Sequence, residues 1–428
     1  MSEAGLEQKY IQEAFDTNWV APLGPNVNGF EEDLKAFVGQ GKEVVALTTG
    51  TAAVHLSLIA CGVEPGDEVI TQSFTFCASA HPVTYLGATP VFVDSEKETW
   101  NMDPDLLEEA IKDRIAKTGK KPKVIMPVAL YGMPYQIDRI LEIAKRYDIP
   151  VIEDAAEGFG SCYDGQVLGT FGRYGILSFN GNKMITTSGG GALICPNKEE
   201  GERVMWYATQ ARESYPYYQH ETIGYNYRMS NICAGIGRGQ MTIVNEHIAH
   251  HQHVHQLYVE LFSKIDGIEV HSQPANGRYA SNYWLTSITI DENLKIKGQE
   301  NAYKEIITSP VGGVPAVIHA ASSARTDCQP NDNVEALRMA LEKAGIESRP
   351  LWKPMHKQPV YCRTNEKLGM RNEELSHGII RQTSATSVAY VNGVSENIFK
   401  KGMCLPAGPW VKDEDVKRIV ETIKANII

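Results

Sequence analysis

Between residues 44 and 195 short apolar, β-branched runs alternate with stretches whose apolar residues recur at helical spacing. That alternation is the pattern of a parallel sheet covered by helices. It predicts strands at 44–48, 68–72, 89–93, 124–128, 150–153, 175–179 and 191–195, with helices in many of the gaps. One helix follows Thr51; another opens after Asp103-Pro104, where Asp can cap and Pro suits the first helical position. Near residue 245 the pattern changes. Val254, Leu257, Tyr258 and Leu261 fall at i, i+3, i+4 and i+7 of a long helix. The remainder reads as α+β: a strand at 283–290, a helix at 334–344 stopped by Gly345, an extended stretch at 347–352, and a last helix capped by Asp413 with Val416, Ile419, Val420 and Ile423 on one face. The fold class expected is therefore α/β, with a large unit at 1–245 and a smaller α+β unit at 246–428. The stretch 299–330, rich in Ala, Ser, Gly and Pro, has weak periodicity and carries no assignment.

The chain has 428 residues, more than a single core of ~250–300 holds, which agrees with two units. A formal charge of −11 argues against a nucleic-acid partner but leaves room for a local pocket for a small anion. Eight scattered cysteines, with neither a C-x-x-C pair nor zinc-finger spacing, read as reduced thiols. No run approaches the ~18 apolar residues of a membrane span. The first residues lack a basic start and an apolar core, so a cytoplasmic location is expected.

Lys183 lies in SFNGNKMITTSGGG, between two expected strands. Alone it reads as a solvated surface charge. Asp154, however, ends the apolar run VIED, and the carboxyl end of a buried parallel strand is where α/β proteins place ligands. Alone, Asp154 is equally a helix cap. Together, an amine and a buried carboxylate suit a pyridine-type cofactor: the amine bonds its aldehyde, and the carboxylate keeps the ring nitrogen protonated so that the ring accepts electrons. TTGTAAVHLSL supplies a small-residue turn opening a helix, where backbone N–H groups at Thr51 and Ala52 can bind a phosphate, with the Ser178 hydroxyl added. Neither G-x-G-x-x-G nor G-x-x-x-x-G-K-[ST] is present there.

TTGTAAVHLSL, GDEVITQSFTFCASA, GATPVFVD, VIEDAAEGFGS, SFNGNKMITTSGGG, GYNYRMSNICAGIGRGQ and SRPLWKPMHKQPVY, in this order, resemble the DegT/DnrJ/EryC1/StrS sugar aminotransferases. The resemblance implies a type I, aspartate-aminotransferase-like fold with a mainly parallel seven-stranded sheet, and a homodimer with shared active sites. It also implies pyridoxal 5'-phosphate cycling through pyridoxamine 5'-phosphate. Lys183 matches the family's Schiff-base lysine and Asp154 its pyridinium partner. Glu157 falls at the polar position near the cofactor's 3-hydroxyl, and Phe76 at the ring-stacking aromatic. Thr51, Ala52 and Ser178 match phosphate contacts, and Asn226 matches an asparagine that reaches the partner subunit's cofactor.

Within the family, SRPLWKPMHKQPVY and GMCLPAGPWV look most like enzymes acting on UDP-linked 4-keto-6-deoxy-N-acetyl sugars, with L-glutamate as amino donor. Two features depart from the family: Ala129 stands where many members have His, and 299–330 is longer than expected. Arg228, Tyr217, Trp352, Lys353, His356 and Lys357 are suggested for the sugar nucleotide. The histidines His247, His251 and His255 have i, i+4 spacing, but apolar neighbours and the lack of HExxH speak against a metal. A dehydratase of the same fold is disfavoured because such relatives lack the lysine, and a non-catalytic relative because Asp154, Ser178 and Lys183 stand together.

Overall fold

The computed structural model describes residues 5–303, 328–362, 373–374, 380–383 and 387–428. Most of the uncharacterised stretch 299–330 thus lies outside the described residues. Seven strands form the central layer: β1 (Glu43–Leu47), β2 (Glu68–Gln72), β3 (Thr89–Val93), β4 (Val124–Met126), β5 (Ile152–Asp154), β6 (Tyr174–Ser178) and β7 (Gly191–Cys195). Their order is β3-β2-β4-β5-β6-β7-β1, with β4 and β5 joined by the parallel bridges Ile125–Val151 and Val128–Asp154. Only β7 runs against the rest, antiparallel to both β6 and β1. Each strand is buried on both faces along most of its length, as a sheet sandwiched between helices requires.

The expected strands match these to within about two residues at each end. Asp103 caps the helix Pro104–Thr118 as anticipated, its carboxylate accepting the N–H groups of Asp105 and Leu106. At the last helix the expectation is off by one: Asp413 is the first helical residue, and Asp415 reaches back to the Lys412 N–H at 3.0 Å.

Residue 245 falls in the first turn of the helix Val244–Phe262. Beyond it, Ile268–Val270, Thr286–Ile290, Gly402–Leu405 and Arg349–Pro350 form a separate four-stranded antiparallel sheet. Val254, Tyr258, Val416, Ile419, Val420 and Ile423 pack there as anticipated, with Leu257 and Leu261 partly buried against them; Phe262, Leu337 and Leu341 join the same cluster. The later strand Val388–Val391 does not join this sheet. It returns to the first one and pairs in parallel with β3, extending its edge.

Candidate active site

The carboxyl ends of β5 and β6 open onto a cavity of about 1190 Å³. Three structural devices bring its functional groups together. The first is the turn between β1 and the helix Gly50–Ala60. Thr49 is extended, and its hydroxyl accepts the Ala52 N–H at 2.9 Å, which fixes the start of the helix. Ala52 therefore spends its amide on the cap. The amides of Gly50 and Thr51 lie in the first turn, without intrahelical partners, and both residues line the cavity with Ser178. The turn is pressed against β7: a Cβ on Gly191 would come within 2.4 Å of the Gly50 nitrogen.

The second device is the end of β5. Asp154 is buried there; its carboxylate accepts the Ser79 hydroxyl at 2.6 Å and the Ala156 N–H at 3.1 Å, and Thr75 in turn contacts Ser79 at 2.8 Å. Burial raises the Asp154 carboxyl above the ordinary range, and these hydrogen bonds together with the charge of Lys183 oppose that rise.

Lys183, on the turn between β6 and β7, is the third. Its side chain is only 12% exposed, so it is no surface charge. Nζ lies 3.3 Å from a carboxylate oxygen of Glu157 and 3.8 Å from the ring centroid of Trp284. The other Glu157 oxygen accepts the Tyr131 N–H at 2.7 Å. Burial pushes the Glu157 carboxyl up to about 7, despite the opposing pull of Lys183. Phe76, 52% exposed, faces the cavity rather than a core, with its ring centroid 5.4 Å from that of Trp352. Lys353 also lines the cavity.

Other suggested residues lie elsewhere. Arg228 is buried, and its guanidinium pairs in a fork with the Glu31 carboxylate while also donating to the Ala46 carbonyl at 3.1 Å. It anchors the segment that follows Asn226 against β1, so it is not a phosphate ligand. His356 is buried against the Ser73 hydroxyl at 2.6 Å, and Lys357 pairs with Glu396 at 3.2 Å. Neither lines the cavity. Tyr217 is exposed in a loop, stacked on Tyr215, and Asn226 is exposed in a bridge with Thr209; this subunit's cavity includes neither. His247 and His251, which also line the cavity, and His255 are packed against Met184 O, Tyr283 O and Ser272 Oγ respectively.

Five participants went unread in the sequence, Gly50 among them. Thr49 and Ser79 lie inside quoted motifs, and a cap one step before the glycine and a hydroxyl four residues after Thr75 could have flagged them. Tyr131 and Trp284 had no local signal. Trp284 meets the lysine turn only through the tertiary fold, its Nε1–H donating at 2.6 Å to the Asn182 carbonyl, 102 positions away in sequence.

The cavity thus presents an amine, a buried carboxylate opposite, and a helix start with a hydroxyl for a dianion. This donor set fits pyridoxal phosphate. The model of the DegT/DnrJ/EryC1/StrS aminotransferase family matches residues 2–308. EpsN of Bacillus subtilis (strain 168), a provisionally named pyridoxal phosphate-dependent aminotransferase, is 40% identical over 420 residues, covering 98% of this chain and 92% of that protein. A GDP-perosamine synthase of Escherichia coli O157:H7 is 31% identical, covering 99% and 96%. A crystal structure of a DegT DnrJ EryC1 StrS aminotransferase from Brucella abortus superposes with a TM-score of 0.78 at 25% identity, covering 99% and 95%. The chain belongs to the DegT/DnrJ/EryC1/StrS aminotransferase family and is a pyridoxal-phosphate-dependent sugar aminotransferase.

Proposed function

We propose that this enzyme transfers the amino group of L-glutamate to the ketone of a nucleotide-linked sugar, with UDP-4-keto-6-deoxy-N-acetylglucosamine as the acceptor and its 4-amino sugar as the product. The observation that carries the reading is the placement of Lys183 Nζ 3.3 Å from Glu157 in the same cavity as Asp154 and the Thr51–Ser178 cradle. Bound pyridoxal phosphate would supply the electron sink. Lys183 would bond its aldehyde and, when free, would serve as the base that moves the proton, a transfer worth about 10²–10⁴-fold. Asp154, whose carboxylate accepts hydrogen bonds from Ser79 and Ala156, would hold a proton on the ring nitrogen. Gly50, Thr51 and Ser178 would hold the phosphate, and Phe76 would pack on the ring. Glu157 holds the free amine and would stand near the ring's hydroxyl.

A UDP-N-acetyl acceptor is supported by a relative in Pseudomonas aeruginosa named UDP-2-acetamido-2-deoxy-3-oxo-D-glucuronate aminotransferase, 35% identical over 298 residues. A GDP-linked acceptor is the second reading, favoured by the GDP-perosamine synthases among the relatives. Trp352 and Lys353 line the same cavity and would meet either nucleotide sugar. The same reading treats residues 1–245 as the cofactor unit, 246–428 as the unit that closes the cavity, and the enzyme as cytoplasmic. It also makes the enzyme a homodimer in which Asn226 serves the partner's cofactor. The exposed apolar side chains Phe15, Trp19, Val20, Leu23 and Ile223 support a covered face.

The test is to incubate the purified protein with L-glutamate and, separately, the UDP-N-acetyl and GDP 4-keto-6-deoxy sugars, following amino-sugar and 2-oxoglutarate by mass spectrometry. Amination of the GDP sugar alone would replace the first acceptor by the second. Bound cofactor with no product from either sugar would overturn both.

A further inference from the structure

We propose that Trp284 is a positioning residue for the Lys183 amine: its indole holds the lysine turn by one edge and the amine by its face. This rests on the reading that Lys183 bonds the cofactor. Trp284 is buried, its Nε1–H is fixed on the carbonyl of Asn182, the residue before the lysine, and Nζ lies 3.8 Å from its ring centroid. One side chain thus touches both the backbone that carries Lys183 and the amine at its tip. A cation over an indole face is attracted by the ring's quadrupole, most strongly where water is excluded.

Asn282 makes the contact rigid. Its side-chain amide donates to the carbonyls of Glu157 at 2.8 Å and Phe159 at 2.9 Å, and its carbonyl oxygen accepts the Trp284 N–H at 2.9 Å. Its own N–H donates to the Ser161 hydroxyl at 2.9 Å. The backbones that carry the two groups flanking the amine, the Glu157 carboxylate and the Trp284 ring, are therefore tied to one asparagine. Gly132 leaves room for it: φ is +93° there, and a Cβ would lie 1.9 Å from the Asn282 oxygen. The amine is thereby confined between a carboxylate and an aromatic face in a single fixed frame, so its reach toward an incoming carbonyl is set before the cofactor arrives.

Capture of pyridoxal phosphate joins Lys183 Nζ to the aldehyde carbon with loss of one water, and borohydride fixes the link by adding hydride to the resulting C=N bond. The experiment mixes cofactor-free enzyme with pyridoxal phosphate, quenches with borohydride at timed intervals, and counts modified Lys183 by peptide mass spectrometry. In parallel, the affinity for pyridoxine phosphate, which lacks the aldehyde, reports whether the cavity is intact. Trp284→Leu is expected to slow capture about fivefold or more, and Trp284→Phe, which keeps a face but lacks the N–H, to fall between it and the parent. Pyridoxine phosphate affinity should stay within about twofold in both variants. Capture by Trp284→Leu at the parent rate would overturn the proposal, as would an equal loss of pyridoxine phosphate binding, which would make Trp284 a cavity wall. If the parent enzyme itself is not modified at Lys183, the assignment of that lysine falls instead.

Discussion

The buried histidines of the helix Val244–Phe262 make stability depend on pH in a way that can be worked out. His251 donates Nδ1–H to the Tyr283 carbonyl at 3.2 Å, and His255 stacks on the Tyr283 ring at 3.6 Å. Both are buried, and burial pushes their imidazoles down from 6.5 to about 4. The folded value lies below the unfolded one, so between the two the unfolded chain binds more protons. The contribution to stability is whole above about pH 6.5 and is lost as pH falls toward 4. A shift of this size amounts to roughly 3 kcal/mol per histidine in the limit, and to about 2 kcal/mol each at pH 5 relative to pH 8. His251→Asn keeps a donor near Nδ1 and removes the titration. Urea unfolding at fixed protein concentration, repeated at pH 5, 5.5, 6, 7 and 8, gives the protons taken up on unfolding from the slope of stability against pH. The variant should lose about one proton of that slope between pH 5 and 6, whatever its stability at pH 8. A slope equal to the parent's would show that His251 titrates normally and would refute the reasoning.

Lys183→Ala should abolish the absorbance of covalently bound cofactor and lower turnover by at least about 10²–10⁴-fold, measured as 2-oxoglutarate release. Asp154→Asn should still be modified by borohydride at Lys183 yet lose most of kcat, because the amide no longer holds a charge against the ring nitrogen. Glu157 carries a carboxyl near 7, neutral below and charged above, so Glu157→Gln should remove an inflection near pH 7 from the profile of kcat/KM. Arg228→Met should cost about 3–5 kcal/mol in urea unfolding by stranding Glu31, and adding Glu31→Leu should restore a good part of it. Additive losses in that pair would refute the buried pairing.

The central sheet was legible because each strand is a short apolar run bounded by turn residues, and the position of Asp154 at the end of one run was enough to place it at a ligand face. Thr51, Ser178, Lys183 and Glu157, singled out through family motifs with local order, line one cavity. Arg228 was not. A cation seven residues before Gly235 in GYNYRMSNICAG looks like an anion ligand until Glu31, 197 positions earlier, is found against it. His356 has the same history, its partner Ser73 lying 283 positions away. Trp284 was invisible for a related reason: helical and strand periods report which face is buried and carry no record of which distant turn that face will meet.

The parallel pairing of Val388–Val391 with β3 bears on the order of events during synthesis. Residues up to 195 supply all seven central strands, so that sheet can assemble while the rest of the chain is still on the ribosome. The outer edge of β3, with the apolar Val91 and Val93, then stays unpaired until nearly 200 more residues have emerged, roughly 10–40 s at ordinary elongation rates. An open edge of that kind recruits other chains. Fragments ended before residue 388 should therefore be prone to aggregate even though all seven of their central strands are present.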